Sequence, residues 1–400
     1  MSHGLAQEKL AYLSSHIERY VDDGKFPGVL CLVTRRGQEA YFHAYGKRDV
    51  QRNADITRDT VLRIYSMSKP ITSVALMMLY EQGHFQLDDP VSRYLPAWKN
   101  LRVYDSGEGS RMQTSALATP LTIKHLLTHT SGLTYGFMGE HPVVSLYQQH
   151  GIGGLAVKGT LEEMVQKLAD IPLLFTPGTR WNYGVSTDVC GYLVQLISGQ
   201  PLDDFVRERI TGPLGMTETD YQVVPSARDR LAACYQFTDG GGYKLRDDPE
   251  TSPYLERPTF LSGGGGMVST IDDYRRFTRM LLNKGELEGV RLLGRKTLEY
   301  MTTNHLPGNV DLAAMGQPVF SETPFEGIGF GLGFSVVVDP AAANVLDSPG
   351  EFAWGGVAST YFWVDPVEDL CVIFMTQLIP SSTYPIRREL KTLVYQAIVD

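Results

Sequence analysis

The residues best suited to nucleophilic chemistry are Ser66 and Lys69, which lie one helical turn apart in a Ser-Met-Ser-Lys segment. Side chains three positions apart share a helix face, so the lysine amine can take the proton of the serine hydroxyl. The apolar run after Pro70 predicts a helix over residues 71–81, which places the Ser66 hydroxyl at a helix N-terminus. A four-residue pattern also arises by chance, and a serine cap beside a solvated lysine is the competing interpretation.

A tyrosine that can relay protons is Tyr183, on a predicted loop between a Thr-Pro-Gly turn and a helix expected over residues 187–197. Such a tyrosine can point into a crevice and exchange protons when a nearby cation stabilises its phenolate. The chain holds 21 tyrosines, so a packing role for any one of them is the competing interpretation.

A third candidate is the segment Trp354-Gly355-Gly356-Val357, which precedes a predicted strand over residues 359–364. Paired glycines let the backbone approach a ligand closely, and a backbone N–H at this edge can complete an oxyanion hole. A plain β-turn is the alternative.

The elements that position these residues come from both ends of the chain. Alternating apolar residues predict a hairpin over residues 29–45 and three strands within residues 331–378, with an amphipathic helix at each end of the sequence. The middle of the chain reads as helices over residues 71–81, 123–127, 161–169, 187–197 and 202–210, and residues 216–266 read as extended surface loops. We therefore predict an α/β (α+β) fold in which residues 1–62 and 220–400 form an antiparallel sheet domain flanked by helices. Residues 63–219 form an inserted, mainly helical domain, with the site at the crevice between the two.

Composition excludes several classes of function. The 400 residues carry 36 Lys and Arg against 45 Asp and Glu, a net charge of −9, which disfavours nucleic-acid binding. The apolar runs are too short to span a bilayer, and the amphipathic N-terminal helix does not resemble a signal peptide. The four cysteines lack metal-binding or redox spacing, so we expect a reduced, cytoplasmic protein. The oligomeric state is left open.

Two further patterns resemble ligand sites, one for a metal and one for a phosphate, but each lacks a residue that such a site requires. His125 and His129 are spaced as a metal pair, but the segment lacks the glutamate of H-E-x-x-H and a third ligand. The glycines of residues 263–266 lack the lysine of a phosphate-binding loop, and we expect them to allow close backbone packing near the crevice. We expect no metal and no cofactor.

The order of the three candidate segments resembles the serine β-lactamase and penicillin-binding protein superfamily. The resemblance is closest to its class C-like branch and, within that branch, to the family VIII carboxylesterases. It extends over roughly residues 60 to 365 and is carried by these stretches: LDDPVSRYLP (87–96), IKHLLTHTSGLTYG (123–136), FTPGTRWNYGVS (175–186), GPLGMTET (212–219) and GGGGMVSTIDDYRRF (263–277). It implies a class C β-lactamase-like fold.

The departures from the lactamase pattern bear on activity. Lactamases carry Y-x-N at the tyrosine motif, whereas the third residue here is Val185. The K-T-G motif of lactamases, whose lysine binds the carboxylate of a β-lactam, is replaced in this chain by Trp354-Gly355-Gly356, as in family VIII esterases. Both changes weaken recognition of anionic substrates and suit neutral esters.

Carried over by motif, the resemblance implies that Ser66 is the nucleophile and that Lys69 and Tyr183 share the acid–base work. The backbone N–H groups of Ser66 and Val357 would form the oxyanion hole. The expected activity is hydrolysis of short-chain, neutral carboxylic esters through an acyl-enzyme.

An aromatic pocket is expected to select the substrate. Trp354, Tyr135 and Trp181 would line it, with Gly355 and Gly356 at the strand edge. For each aromatic residue, packing without substrate contact is the alternative. Other activities stay open on the same scaffold: β-lactamase, amide-oligomer hydrolase or acyltransferase, and, from another class, a catalytically silent binding protein.

Overall fold

The strands and helices are taken from a computed structural model that describes residues 3–154, 157–316 and 325–400. The strands are β1 (Gly28–Arg35), β2 (Gln38–Asp49), β3 (Ala54–Asp55), β4 (Leu62–Arg63), β5 (Arg102–Ser106), β6 (Gln113–Ala116), β7 (Cys234–Phe237), β8 (Tyr243–Asp247), β9 (Val268–Ser269), β10 (Glu286–Leu287), β11 (Val290–Arg291), β12 (Ile328–Phe330), β13 (Ser335–Val337), β14 (Phe352–Gly355), β15 (Tyr361–Asp365), β16 (Leu370–Met375) and β17 (Leu378–Ile379). The α-helices are α1 (Gln7–Asp22), α2 (Ser68–Glu81), α3 (Ile123–Leu127), α4 (Pro142–Gln149), α5 (Leu161–Leu168), α6 (Ser186–Ser198), α7 (Leu202–Val206), α8 (Ile271–Leu282), α9 (Arg295–Met301), α10 (Leu312–Met315), α11 (Pro340–Ala343) and α12 (Ile386–Tyr395).

The main sheet is assembled from both ends of the chain, as predicted. Within the described ranges its eight strands lie in the order β12-β13-β14-β15-β16-β1-β2-β3. Strand β1 pairs antiparallel with β16 on one side and with β2 on the other, so the N-terminal hairpin completes a sheet begun by the C-terminal strands.

Both faces of the sheet are buried, which explains why its central strands are apolar at almost every position. Alternate side chains of a strand point to opposite faces. Leu30 and Leu32 of β1 join the larger core with α2, while Val29 and Val33 join a second core with α1 and α12. The sheet is therefore the middle layer between two sets of helices.

The helices of the middle of the chain pack around the pair formed by α2 and α6. Residues 68–79 of α2 are all buried, as expected for a mainly apolar helix that packs centrally. It packs mainly against α6. The helices predicted over residues 71–81, 123–127, 161–169 and 187–197 are confirmed within a few residues, and the helix predicted over residues 202–210 changes to a π-helix at Arg207–Thr211.

The prediction that residues 216–266 form surface loops is wrong in part. Strands β7 and β8 form a hairpin there, and β17 pairs with β7. The segment also buries Tyr221, Cys234 and Phe260. Glycine and aspartate concentrate in the hairpin turn, so composition hid two short strands that long-range contacts stabilise. The division into a sheet domain and a helical domain stays a prediction.

The four cysteines are buried and unpaired with one another. Within the described parts of the chain, no helix has both the length and the apolarity that a bilayer crossing requires.

Two adjacent carboxyl groups at the start of α8 respond to the fold in opposite ways. Burial raises the pKa of Asp273 to about 6, although it accepts hydrogen bonds from the backbone N–H of Glu218 and the hydroxyl of Thr219. The pKa of Asp272 is instead lowered by its hydrogen bond to Arg58. A buried carboxylate loses hydration, whereas an ion-paired one gains a partner.

We predict opposite pH dependences of stability for these two groups. Between about pH 4 and about pH 6 folded Asp273 keeps a proton that the unfolded chain releases, so its contribution to the unfolding free energy falls as pH rises. Asp273→Asn should therefore gain about 3 kcal/mol relative to wild type on going from about pH 4 to about pH 7. Asp272→Asn should instead lose stability relative to wild type as pH rises toward about 4, because the pKa of folded Asp272 lies below its ordinary value and the ion pair with Arg58 forms in that range. Denaturant melts across pH measure both, and parallel curves for wild type and Asp273→Asn would contradict the prediction.

Candidate functional site

The predicted nucleophile lies on a strained turn at the start of the central helix. Residues Tyr65–Met67 form a 3-10 turn that leads directly into α2. Tyr65 has a φ of +42°, in the left-handed region that non-glycine residues rarely adopt. This turn leaves Ser66 half-buried and facing two adjoining cavities.

Lys69 is held next to Ser66, as the spacing predicts. Its Nζ donates to Ser66 Oγ at 3.1 Å and to the carbonyl oxygen of Gly264 at 2.6 Å. The side chain is only 1% exposed, so the carbonyl and the serine hydroxyl replace its lost hydration.

Tyr183 completes the cluster from the loop before α6. The loop is fixed by two backbone hydrogen bonds, from Trp181 N–H to Met315 O and from Asn182 N–H to His129 O. Lys69 Nζ lies 4.5 Å from the centroid of the Tyr183 ring. The buried Tyr183 hydroxyl has no hydrogen-bond partner among the described residues, which leaves it available to a bound molecule. The structure thus brings Ser66, Lys69 and Tyr183 together.

A buried carboxylate that sequence reasoning missed lies behind the lysine. Asp188 of α6 accepts hydrogen bonds from the Ser262 hydroxyl at 2.6 Å and from Gly264 N–H at 3.0 Å. Burial raises the pKa of Asp188, and its hydrogen bond from Ser262 and the charge of Lys69 oppose that rise. Asp188 thereby fixes the peptide backbone that binds the lysine. Its position five residues after Tyr183, one turn into the helix, is the only sequence signal for it.

The residues around the cluster keep their neutral forms. Burial, followed by the charge of Tyr183 and Asp188, raises the pKa of Tyr135 well above its ordinary value. Burial, assisted by the charge of Lys69, lowers the pKa of His129 well below its ordinary value. A phenol with a raised pKa and an imidazole with a lowered pKa are both poorly matched to proton exchange near neutral pH.

The edge formed by Trp354, Gly355, Gly356 and Val357 lies beside the serine turn. Strand β14 ends at Gly355, and a Cβ on Gly356 would lie 2.5 Å from the carbonyl oxygen of Ile64. Only glycine therefore allows the strand to approach the turn so closely. No described residue accepts a hydrogen bond from the backbone N–H of Val357 or Ser66, the two donors predicted for the oxyanion hole.

Two cavities meet at Ser66, Tyr183 and Val357. The narrower, of about 90 Å³, is here called the tryptophan arm and is lined by Trp181, Phe325, Ile328, Val337, Val345 and Trp354. The wider, of about 250 Å³, is called the tyrosine arm and is lined by Tyr65, Tyr135, Phe137, Tyr221, Tyr254 and Phe260. The aromatic residues predicted to form one pocket are therefore divided, with both tryptophans in one arm and Tyr135 in the other.

The two histidines have separate structural roles. His125 Nδ1 accepts from the backbone N–H of Thr122 and caps α3, and burial lowers its pKa to about 4. His129 packs against Tyr183, with ring centroids 5.1 Å apart. A search of the described ranges finds no group of three or more His, Cys, Asp or Glu residues that could hold a metal ion.

Comparison with known proteins agrees with this geometry. The Beta-lactamase family model matches residues 13–396. Protein Rv1367c of Mycobacterium tuberculosis is 36% identical over 91% of this chain and 89% of its own length. Esterase EstB of Burkholderia gladioli is 31% identical over 92% of this chain and 90% of its own length.

Among solved structures, EstCE1, described as a hydrolase with promiscuous acyltransferase activity, superposes with a TM-score of 0.82 at 28% identity. The match covers 97% of this chain and 99% of that chain. These matches confirm the predicted class C β-lactamase-like fold. The chain belongs to the beta-lactamase family and is a serine hydrolase.

Proposed function

We propose that this protein is a carboxylesterase that hydrolyses short-chain, neutral esters through an acyl-enzyme on Ser66, as the family VIII esterases do. The observation that carries the proposal is the direct contact of a buried lysine with the serine hydroxyl, 3.1 Å apart, beneath a tyrosine whose hydroxyl is unengaged by any described residue. The similarity to EstB and EstCE1 supports an esterase or acyltransferase on this scaffold.

The proposed reaction uses the chain's own groups. Ser66 Oγ attacks the ester carbonyl carbon, and its proton passes to the pair formed by Lys69 and Tyr183. The carbonyl oxygen becomes an oxyanion bound by the N–H groups of Ser66 and Val357. Tyr183 returns the proton to the leaving alcohol as the C–O bond breaks. Water, deprotonated by the same pair, then attacks the acyl-enzyme and releases the carboxylic acid with Ser66 restored.

The walls of the site support a neutral substrate. Trp354 lies where the lactamase pattern has a lysine, and its ring is 5.4 Å from that of Tyr183, so an indole faces the reacting centre. Among the described residues, three cations also line the tryptophan arm: Arg387, Arg388 and Lys391. Lys391 is paired with Asp347 and Glu351, and both arginines donate hydrogen bonds to backbone carbonyls. The small volume of this arm supports a short acyl chain.

Loss of any one of the three side chains is predicted to remove activity. Ser66→Ala, Lys69→Ala and Tyr183→Phe should each lower kcat on p-nitrophenyl butyrate by at least about 10³-fold in folded protein. Intact-mass analysis after treatment with a fluorophosphonate should show one adduct on wild type and none on Ser66→Ala. Ser68→Ala, two residues along in the same motif, is the matched control and should still take the adduct. Wild-type turnover in any of the three variants would remove that residue from the mechanism, and an unlabelled wild type would favour a silent protein.

Esters should be preferred over β-lactams. With Val185 in place of the lactamase asparagine and Trp354 in place of the lysine, two contacts to an anionic β-lactam are missing. Parallel assays with p-nitrophenyl butyrate and a chromogenic cephalosporin should give the higher kcat/KM for the ester. The reverse order would identify a β-lactamase instead.

Placing a lysine at position 354, where lactamases have one, should change the preference between neutral and anionic esters. Trp354→Lys is expected to lower kcat/KM for p-nitrophenyl butyrate and to raise the relative value for p-nitrophenyl hemisuccinate, which adds a carboxylate. The ratio of the two should shift about tenfold or more, the size of one charge-assisted hydrogen bond. Trp354→Phe, which stays aromatic and neutral, is the control and should leave the ratio near that of wild type. An unchanged ratio in folded Trp354→Lys would mean that specificity is set elsewhere.

A further inference from the structure

A buried arginine contacts the strand edge that borders the nucleophile and also lines the tryptophan arm. Arg387, on α12, is 7% exposed, and its Nη2 donates to the carbonyl oxygens of Gly356 at 3.0 Å and Thr360 at 3.1 Å. Its guanidinium carbon lies 5.1 Å from the centroid of the Tyr361 ring, on the strand next to β14. The positive charge is therefore held in place against the two ends of the loop that connects β14 and β15.

The sequence of β14 makes room for this cation. A Cβ on Gly355 would lie 2.5 Å from the guanidinium carbon of Arg387. Gly355 and Gly356 thus have different roles, because the first admits the arginine and the second admits the backbone of the serine turn. The two glycines therefore allow one strand edge to contact both Arg387 of α12 and the backbone of the serine turn.

We propose that Arg387 is a positioning residue for the oxyanion hole, acting through a single peptide group. The carbonyl of Gly356 and the N–H of Val357 belong to the same planar peptide and point in opposite directions when it is trans. Binding of the carbonyl by Arg387 therefore directs the N–H away from the guanidinium, and Val357, which carries this N–H, borders both arms together with Ser66. The inference rests on the proposed function, because it takes Val357 N–H as an oxyanion donor.

The hydrogen bond from Arg387 to the carbonyl of Gly356 also makes the Val357 N–H a stronger donor. A cation that binds an amide oxygen draws electron density from the nitrogen, which makes the N–H a better donor, and hydrogen bonds in such chains reinforce one another. The partner of this N–H is expected to be the substrate oxygen, since no described residue accepts from it.

The loop that carries Val357 is closed at both ends. Gly356 N–H donates to Thr360 O at 2.9 Å, so the two carbonyls bound by Arg387 lie at the base of one turn. On the far side Leu378 N–H donates to Ala358 O, and the hydroxyl of Ser359 donates to Leu378 O at 2.7 Å. A peptide held in this way cannot turn its N–H away from the crevice without breaking several bonds.

This role predicts an effect on the chemical step and little effect on substrate binding. The negative charge on the oxyanion develops only in the transition state, so weakening its donor lowers kcat and leaves KM nearly unchanged. Removal of a whole oxyanion donor costs about 10²–10³ in rate, and weakening one of two donors should cost less, about 10- to 50-fold.

Arg387→Met and Arg387→Lys test the proposal with p-nitrophenyl butyrate and a trifluoromethyl ketone inhibitor, whose adduct with Ser66 places an oxyanion in the hole. For Arg387→Met we expect kcat and inhibitor affinity to fall by the same factor, about 10- to 50-fold, with KM within about threefold of wild type. Arg387→Lys should recover part of both losses, since it keeps a charge able to bind one carbonyl. Arg35→Met is the matched control: Arg35 is also buried and also donates to backbone carbonyls, of Gly4 and Glu368, but lines neither arm. It should lose stability and keep kcat per folded molecule.

Gly355→Ala provides a second variant that leaves the arginine in place. Its methyl group must displace the guanidinium, so kcat and ketone affinity should again fall together, while Gly240→Ala, where a Cβ meets nothing within 4 Å, should change neither. Wild-type kcat in folded Arg387→Met, or a loss of kcat without loss of ketone affinity, would overturn the proposal. A loss confined to KM would instead assign Arg387 to direct substrate binding. Failure of the esterase function itself is distinguished by a wild type that neither hydrolyses the ester nor takes the fluorophosphonate on Ser66.

Discussion

The site depends on burying one ammonium group. Lys69 is 1% exposed, on a helix whose residues 68–79 are all buried, and a cation in that position must be compensated by the protein. The compensation comes from distant parts of the chain: the carbonyl of Gly264, the faces of Tyr135 and Tyr183, and the carboxyl group of Asp188 one peptide away. Gly264 and the two tyrosines also line the cavity that reaches Ser66, so the contacts that compensate Lys69 also assemble the candidate site.

The need to compensate the buried charge of Lys69 explains why the backbone of the Gly263–Gly266 segment lies so close to α2. The Gly263–Gly266 segment lies against that helix, where Thr72 donates to Gly263 O and Lys69 donates to Gly264 O. On the opposite side of Ser66, Gly356 contacts the backbone of the serine turn. Two glycine segments from the second half of the chain therefore hold the catalytic turn between them. The strained φ of Tyr65 is maintained by this enclosure, because an exposed turn would relax to a lower-energy conformation.

The sequence predicted the parts of the site that are local and missed those that are long-range. Ser66 and Lys69 share one helical turn, and Tyr183 stands at a helix entrance, so spacing and motif were sufficient to find them. Asp188 and Arg387 act through single backbone peptides that lie far away in sequence, and no local pattern reveals such a partner. The same limit explains the hairpin of β7 and β8, whose strands are short, pair with β17 and are stabilised by contacts that composition does not report.

The two arms give the proposed esterase a physical basis for choosing between water and an alcohol. Hydrolysis and acyl transfer share the acyl-enzyme and the same acid–base pair, and they differ only in the second nucleophile. The tryptophan arm is smaller and has charged side chains as well as apolar ones in its lining, whereas the tyrosine arm is larger and carries the half-exposed ring of Phe137 among its lining residues. Water enters such an arm without being bound, but an alcohol must gain binding energy from its aromatic walls to compete at the far lower concentration it has in solution. For the proposed esterase we therefore expect the walls of the tyrosine arm to set the balance between the two reactions, because Ser66, Lys69 and Tyr183 would serve both alike.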